Sequence, residues 1–167
     1  ARSGLDSKYQ YKVLQSLTVK PAPNKQIDAY FTRIYSPDTN SDGVADKITD
    51  TTIVNGKSQS EELDTIAHSV ISTSPEGRKS TVYYNGDTLL PTQVDVPGLF
   101  TTTYEYDAAG RTTKVSTGDG GTNVRETTFT YDDDGNLNTV TAPVIGTASF
   151  DYDAVGRPTY VTRPDNS

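Results

Sequence analysis

The chain of 167 residues has no cysteine, no methionine, no tryptophan and a single histidine, His68. Without cysteine there is no disulfide, no thiolate zinc site and no cysteine nucleophile. One histidine and no thiol leave a transition-metal centre short of its usual ligands. A Ser–His–Asp hydrolase would have to be built on His68, and the plentiful Ser and Asp show no spacing signal for it. His68 stands in a polar stretch and reads as a solvated residue. No window approaches the roughly 18 apolar residues of a membrane span, which predicts a soluble segment. The chain starts at Ala1 and has no Met, so it reads as a processed N-terminus or an excised fragment, with no signal peptide visible.

Positive charge is also scarce. There are 15 Lys and Arg against 22 Asp and Glu, for a net charge of -7. No basic stripe appears, so nucleic acid and anionic membrane, which demand clustered cations, are not expected partners. Apolar residues make up only 32% of the chain, which argues against a deep single core. Strand and turn chemistry is what remains: 11 Tyr with many Thr and Val, and 13 Gly with 9 Pro.

Much of that chemistry is repeated. Tyr104-Glu-Tyr106-Asp107-Ala-Ala-Gly110-Arg111 is followed by Phe129-Thr-Tyr131-Asp132-Asp-Asp-Gly135-Asn136 and by Phe150-Asp-Tyr152-Asp153-Ala-Val-Gly156-Arg157. Each reads aromatic-x-Tyr-Asp-x-x-Gly-[Arg/Asn], with a Val five residues after the Gly: Val115, Val140 and Val161. The tyrosines before Asp are 25 and then 21 residues apart. A weaker copy, ISTSPEGRKSTV at 71–82, keeps Gly77, Arg78 and Val82 but has lost both aromatics and the Asp.

Turn chemistry explains each element. Aromatic-x-Tyr at period two places both rings on one face of a strand. The Asp accepts hydrogen bonds from turn N–H groups. Two ordinary residues and then Gly fit a type I turn closed in the left-handed region, the three-residue hairpin with a G1 bulge. The motif is thus a hairpin generator; strict alternation would put the Val on the face opposite the rings, but a bulge upsets that count and leaves the face open. A residue set recurring in every hairpin reads as architecture rather than catalysis.

These copies resemble the YD repeats of the RHS (rearrangement hotspot) family over roughly residues 70–167. Asn136 departs from the usual Arg, and the 25-residue spacing implies a longer connecting loop around Ser116–Asn123. The resemblance implies strand–turn–strand units side by side in a long spiralling sheet. In such families, which include bacterial polymorphic toxins, insecticidal toxin-complex subunits and teneurins, the spiral closes into a shell around a toxic domain or forms a cell-surface barrel. Three or four repeats would be a sector of such a shell.

Residues 1–69 lack a good copy of the motif. Segments 8–20, 29–35 and 47–54 read as strands, with Pro21, Pro23 and Asn24 breaking the chain between the first two. SQSEELDTIAHSV at 58–70 reads as a short helix or a polar loop, and Asn55-Gly56 as a tight turn. Asp38, Asn40, Asp42, Val44 (through its carbonyl) and Asp46, with Gly43 at the sixth position, match the first nine positions of a calcium loop. The twelfth position is Thr49 where a bidentate Glu belongs, with Asp50 as a substitute. The alternatives are a weak structural calcium site and a plain Asx-rich turn.

Asp132-Asp133-Asp134 is the densest run of carboxylates, but the last two occupy turn positions that are Ala-Ala and Ala-Val in the sister repeats. Gly118-Asp-Gly-Gly121 reads as a flexible loop, not a phosphate cradle, since no helix start follows. The expected fold is all-β: successive antiparallel hairpins in one continuous twisted sheet, a solenoid or spiral shell-like segment whose 1–69 region runs on into the repeats. The expected role is a non-catalytic scaffold of a secreted or surface protein, with the rest of an RHS-type polypeptide or its cargo as partner. The rivals are an adhesion or carbohydrate-binding module and a polysaccharide-degrading enzyme.

Overall fold

The computed structural model describes residues 12–22 and 25–164 and is all-β, with the strands lying in chain order in the sheet. Two compact units divide at Leu89/Leu90, later in the chain than the change of pattern at 69/70.

The first unit holds β1 (Lys12–Ala22), β2 (Lys25–Tyr35), β3 (Lys47–Val54), β4 (Lys57–Asp64), β5 (Ser69–Thr73) and β6 (Lys79–Tyr84), each antiparallel to the next. β1 starts inside the expected strand at 8–20, whose residues 8–11 lie outside the described residues. Pro21 falls where the β1–β2 register breaks between Val19 and Ala22, while Pro23 and Asn24 lie outside the described residues. The strands expected at 29–35 and 47–54 are present.

The 58–70 segment is neither helix nor loop. It forms β4, a turn and the start of β5. The cause is the preceding turn. Asn55 and Gly56 have φ of 50° and 80°, the two positive values of a type I′ turn, which reverses the chain directly into Val54↔Lys57 pairing. Leu63 then falls between Ile48 and Val70 in register, and Val70 opposite Val82. Directly paired residues share a face, so Tyr35, Ile48, Leu63, Val70 and Val82 form one apolar row across five strands.

The second unit holds β7 (Pro91–Asp95), β8 (Thr101–Tyr106), β9 (Thr112–Gly118), β10 (Val124–Tyr131), β11 (Leu137–Ala142), β12 (Gly146–Tyr152) and β13 (Pro158–Thr162). Every second connection of an antiparallel meander returns to the same edge. The turns at 107–111, 132–136 and 153–157 therefore line one edge, and those at 119–123 and 143–145 the other. The long repeat spacing is taken up by longer strands and a loop at 119–123 only, since β9 runs through Ser116 to Gly118. Gly118 is there for close approach rather than flexibility: a Cβ would lie 2.5 Å from the Asn123 carbonyl oxygen.

Among residues 27–164 no apolar side chain is buried, and the buried polar one is Ser69. The apolar rows are half-buried by their neighbours within the sheet. Stability in such a sheet comes from contacts between adjacent strands, and so does any function of its edges.

Candidate functional site

The three strong turns share one geometry. Asp107 N–H donates to the Arg111 carbonyl at 2.9 Å and Gly110 N–H to the Asp107 carbonyl at 3.0 Å, with Gly110 at φ 80°. The same two bonds recur at Asp132/Asn136 with Gly135, and at Asp153/Arg157 with Gly156. This is the expected type I turn closed by a left-handed glycine.

The Asp carboxylate then grips the residue four positions on, twice. Asp107 accepts Arg111 N–H at 2.9 Å through Oδ1 and Arg111 Nε at 2.7 Å through Oδ2. Asp153 holds Arg157 at the same two distances. Asp132 holds Asn136 by backbone N–H at 2.7 Å and side-chain amide at 3.1 Å, so Asn replaces Arg with the clasp intact. These bonds hold all three carboxyls below the usual carboxylate range. The largest cause is the backbone N–H of Arg111 for Asp107, the Asn136 amide for Asp132 and the backbone N–H of Arg157 for Asp153.

The register decides the face of the valines. Tyr104 pairs with Val115, Phe129 with Val140 and Phe150 with Val161, so ring and Val share a face. In each repeat one residue beyond the turn is skipped in the register, Thr113, Asn138 or Thr159, and this second bulge flips the count. Val115 also pairs with Thr127, and Val140 with Ala148. The result is a continuous row from Tyr104 to Val161. Along β10, Thr127, Phe129 and Tyr131 are half-buried and Thr128 and Thr130 exposed, as aromatic-x-Tyr at period two requires.

The weak copy makes the same turn differently. Ser74 N–H donates to the Arg78 carbonyl at 2.8 Å, Gly77 N–H to the Ser74 carbonyl at 2.9 Å, and Ser74 Oγ accepts Arg78 N–H at 3.2 Å. One hydroxyl stands in for the carboxylate. Its register has no second bulge: Val82 meets Val70, not Ile71, and here strict alternation does hold.

Sequence reasoning missed what the arginine does. The Arg111 guanidinium lies over the Tyr131 ring of the next repeat, 4.5 Å from its centroid, and Tyr131 Oη donates to the Thr112 carbonyl at 2.8 Å. A Cβ on Gly135 would lie 3.1 Å from Arg111 Nη1. The arginine is clasped by its own Asp and covered by the following Tyr, which ties one hairpin to the next. The available signal was an Arg four residues after Asp in two of three copies.

The 38–50 residues are placed as follows. Asp38 accepts the N–H groups of Ser41 and Gly43 at 2.7 and 2.9 Å, Asn40 that of Asp42 at 3.1 Å, Asp42 that of Val44 at 2.7 Å, and Asp46 that of Thr39 at 3.1 Å. Asp50 lies in β3, where Arg33 binds both its oxygens at 2.6 Å and holds its carboxyl below the usual range. Among the described residues no three His, Cys, Asp or Glu converge on a metal position.

Elsewhere, His68 is exposed with its ring tilted against Tyr84, centroids 5.6 Å apart. Asp133 and Asp134 are exposed turn residues. On the face opposite the aromatic row, Lys114 stands between Glu105 at 2.6 Å and Glu126 at 3.7 Å, in a shallow groove bordered by Leu99 and Phe100. Hydrogen bonding and charge from Glu105, with a smaller contribution from Glu126, push the Lys114 ammonium up.

A cross-repeat clasp of this kind belongs to a sheet that grows by repetition, and the family comparison agrees: the teneurin YD-shell family matches residues 11–167. The chain belongs to the teneurin YD-shell family. The match reaches back through the first unit, well before the repeats recognisable at 70–167. No curated protein shows a significant match. As a YD-shell chain, it is a segment of a structural shell, and no helix among the described residues is long and apolar enough to cross a membrane.

Proposed function

We propose that this YD-shell segment is a non-catalytic scaffold in the wall of a secreted or cell-surface protein, whose shell encloses or presents a toxin domain. The observation that carries the reading is the Asp107–Arg111–Tyr131 junction. At that junction the motif's Asp, Arg and Tyr close a turn and join two hairpins, which is a structural use of the repeated residues. A wall of this kind gains its stability from each neighbouring hairpin and needs no buried core of its own.

Intact mass of the native parent polypeptide, with peptide mapping to place residues 1–167, tests the proposal. A parent of more than about a thousand residues with many further YD copies is expected, because only extended repetition encloses a volume. A native protein ending near Ser167 would exclude encapsulation.

One observation favours a second reading, a carbohydrate-binding surface. Leu99 and Phe100, 71% and 58% exposed, border the polar groove around Lys114. Glycan-array binding lost in Phe100→Ala would establish it.

A further inference from the structure

The sequence holds two Asn-Gly pairs, and the structure treats them differently. Asn55-Gly56 closes the turn between β3 and β4. Its side-chain Oδ1 turns back to β2, where it accepts Asp28 N–H at 3.1 Å, and a Cβ on Gly56 would meet nothing within 4 Å. Asn85-Gly86 follows β6. There Oδ1 accepts two backbone N–H groups ahead of it, from Asp87 at 2.9 Å and Thr88 at 3.0 Å, which draws the side-chain amide forward over the peptide bond to Gly86. The chain's one histidine stands against that glycine. A Cβ on Gly86 would overlap His68 Cε1 and lie 2.8 Å from both ring nitrogens, so only glycine fits beneath the imidazole. His68 itself is held at φ 49°, a left-handed strain for a residue with a Cβ, and its carbonyl accepts Tyr84 N–H at 2.9 Å.

We infer that Asn85 is a self-modification site, which converts to aspartate and isoaspartate with His68 as its base. Gly86 N attacks Asn85 Cγ while the imidazole takes the proton from that nitrogen. Negative charge gathers on Oδ1, where the Asp87 and Thr88 N–H groups already point, in the manner of an oxyanion hole. The proton held by the imidazole then passes to Nδ2, the Cγ–Nδ2 bond breaks and ammonia leaves, so a cyclic succinimide remains. Water opens one or other of its carbonyls, giving aspartate or an isoaspartate whose backbone runs through the side chain. The reaction needs only these residues and water, and it is independent of the scaffold reading. Isoaspartate adds a backbone methylene just before the first unit ends at Leu89.

The test is incubation of the folded full chain at neutral pH, with both Asn-Gly sites followed over time by peptide mapping and mass spectrometry. Asn55 is the internal control, the same dipeptide with nothing packed on its glycine. Asn85 is expected to convert at least about tenfold faster than Asn55, and the two rates should converge in urea, where the fold is lost. His68→Gly suits the φ of 49° and should slow Asn85 by about the same tenfold, to the Asn55 rate. Free imidazole should then restore Asn85 and leave Asn55 unchanged, which separates a base from a residue that only shapes the turn. Conversion at Asn85 no faster than at Asn55 in the folded chain overturns the inference. So does an Asn85 rate indifferent to His68→Gly, or a loss that imidazole does not restore. A difference that persists in urea also overturns it, by assigning the rate to local sequence instead of the fold.

Discussion

Replacing each motif glycine by alanine isolates the junction between repeats. Gly110, Gly135 and Gly156 have φ of 80°, 89° and 77°, so each alanine suffers the left-handed penalty. That penalty is about 1–2 kcal/mol, offset in part by about 0.4–1 kcal/mol from the stiffer unfolded chain, leaving roughly 1 kcal/mol. The new methyl group meets different neighbours. At Gly110 and Gly156 the nearest are Leu90 Cδ1 and Asn136 Oδ1, both at 3.6 Å, an ordinary contact. At Gly135 it is Arg111 Nη1 at 3.1 Å, and that guanidinium cannot retreat without leaving the Tyr131 ring. Losing the stack adds about 0.5–1 kcal/mol. For a chain of this size, 1 kcal/mol corresponds to about 2–4 °C in Tm. Gly110→Ala and Gly156→Ala should therefore lower Tm by about 2–4 °C and Gly135→Ala by up to about twice that, as read by thermal circular dichroism. In an Arg111→Ala background the excess at Gly135 should vanish, since the contact that creates it is gone. Equal losses at all three glycines, or an excess that survives Arg111→Ala, would refute the junction.

Other expectations follow from the same geometry. Asn136→Arg restores the arginine above Tyr152, and a gain of about 0.5–1 kcal/mol, or roughly 1–4 °C, is expected; an unchanged or lower Tm would mean the seat does not form there. Asp107, Asp132 and Asp153 are all depressed in the folded state, so their stabilisation is complete above the unfolded value of about 3.9 and drains away as pH falls through the folded values. Tm should be flat above about pH 5 and fall below about pH 4, and a Tm that rises on acidification would contradict the clasp. Calcium titration decides the 38–46 loop. Its carboxylates accept loop N–H groups and keep lone pairs for a cation, so a rise of Tm in millimolar calcium that Asp42→Asn abolishes would establish the calcium loop read from the spacing, and a constant Tm would leave the plain Asx-rich turn.

The hairpins were legible because their information is local. Tyr-Asp-x-x-Gly specifies a turn within five residues, and Asn55-Gly56 specifies another within two. The face of the valines was not legible. It depends on a skipped residue at Thr113, Asn138 or Thr159, none of which differs in kind from its neighbours. The 58–70 segment failed for the opposite reason. Its helix-favouring Glu61, Glu62 and Leu63 are overruled by a tight turn on one side and a strand waiting on the other.

The weak copy shows which part of the motif makes a hairpin and which makes a wall. Ser74 and Gly77 close the turn without the aromatics or the Asp, so those residues are not needed to reverse the chain. What Ser74 cannot provide is a second oxygen for the arginine side chain. Arg78 turns to Glu76 at 3.4 Å instead, with 81% of its side chain exposed, and makes no stack on a following tyrosine among the described residues. Its strands also lack the second bulge that brings ring and Val to one face. The Gly therefore belongs to the turn, while Asp, Arg and the aromatic pair belong to the joint between turns. A repeat can lose the second set and remain a hairpin, but it loses the grip on its neighbour that a continuous shell requires.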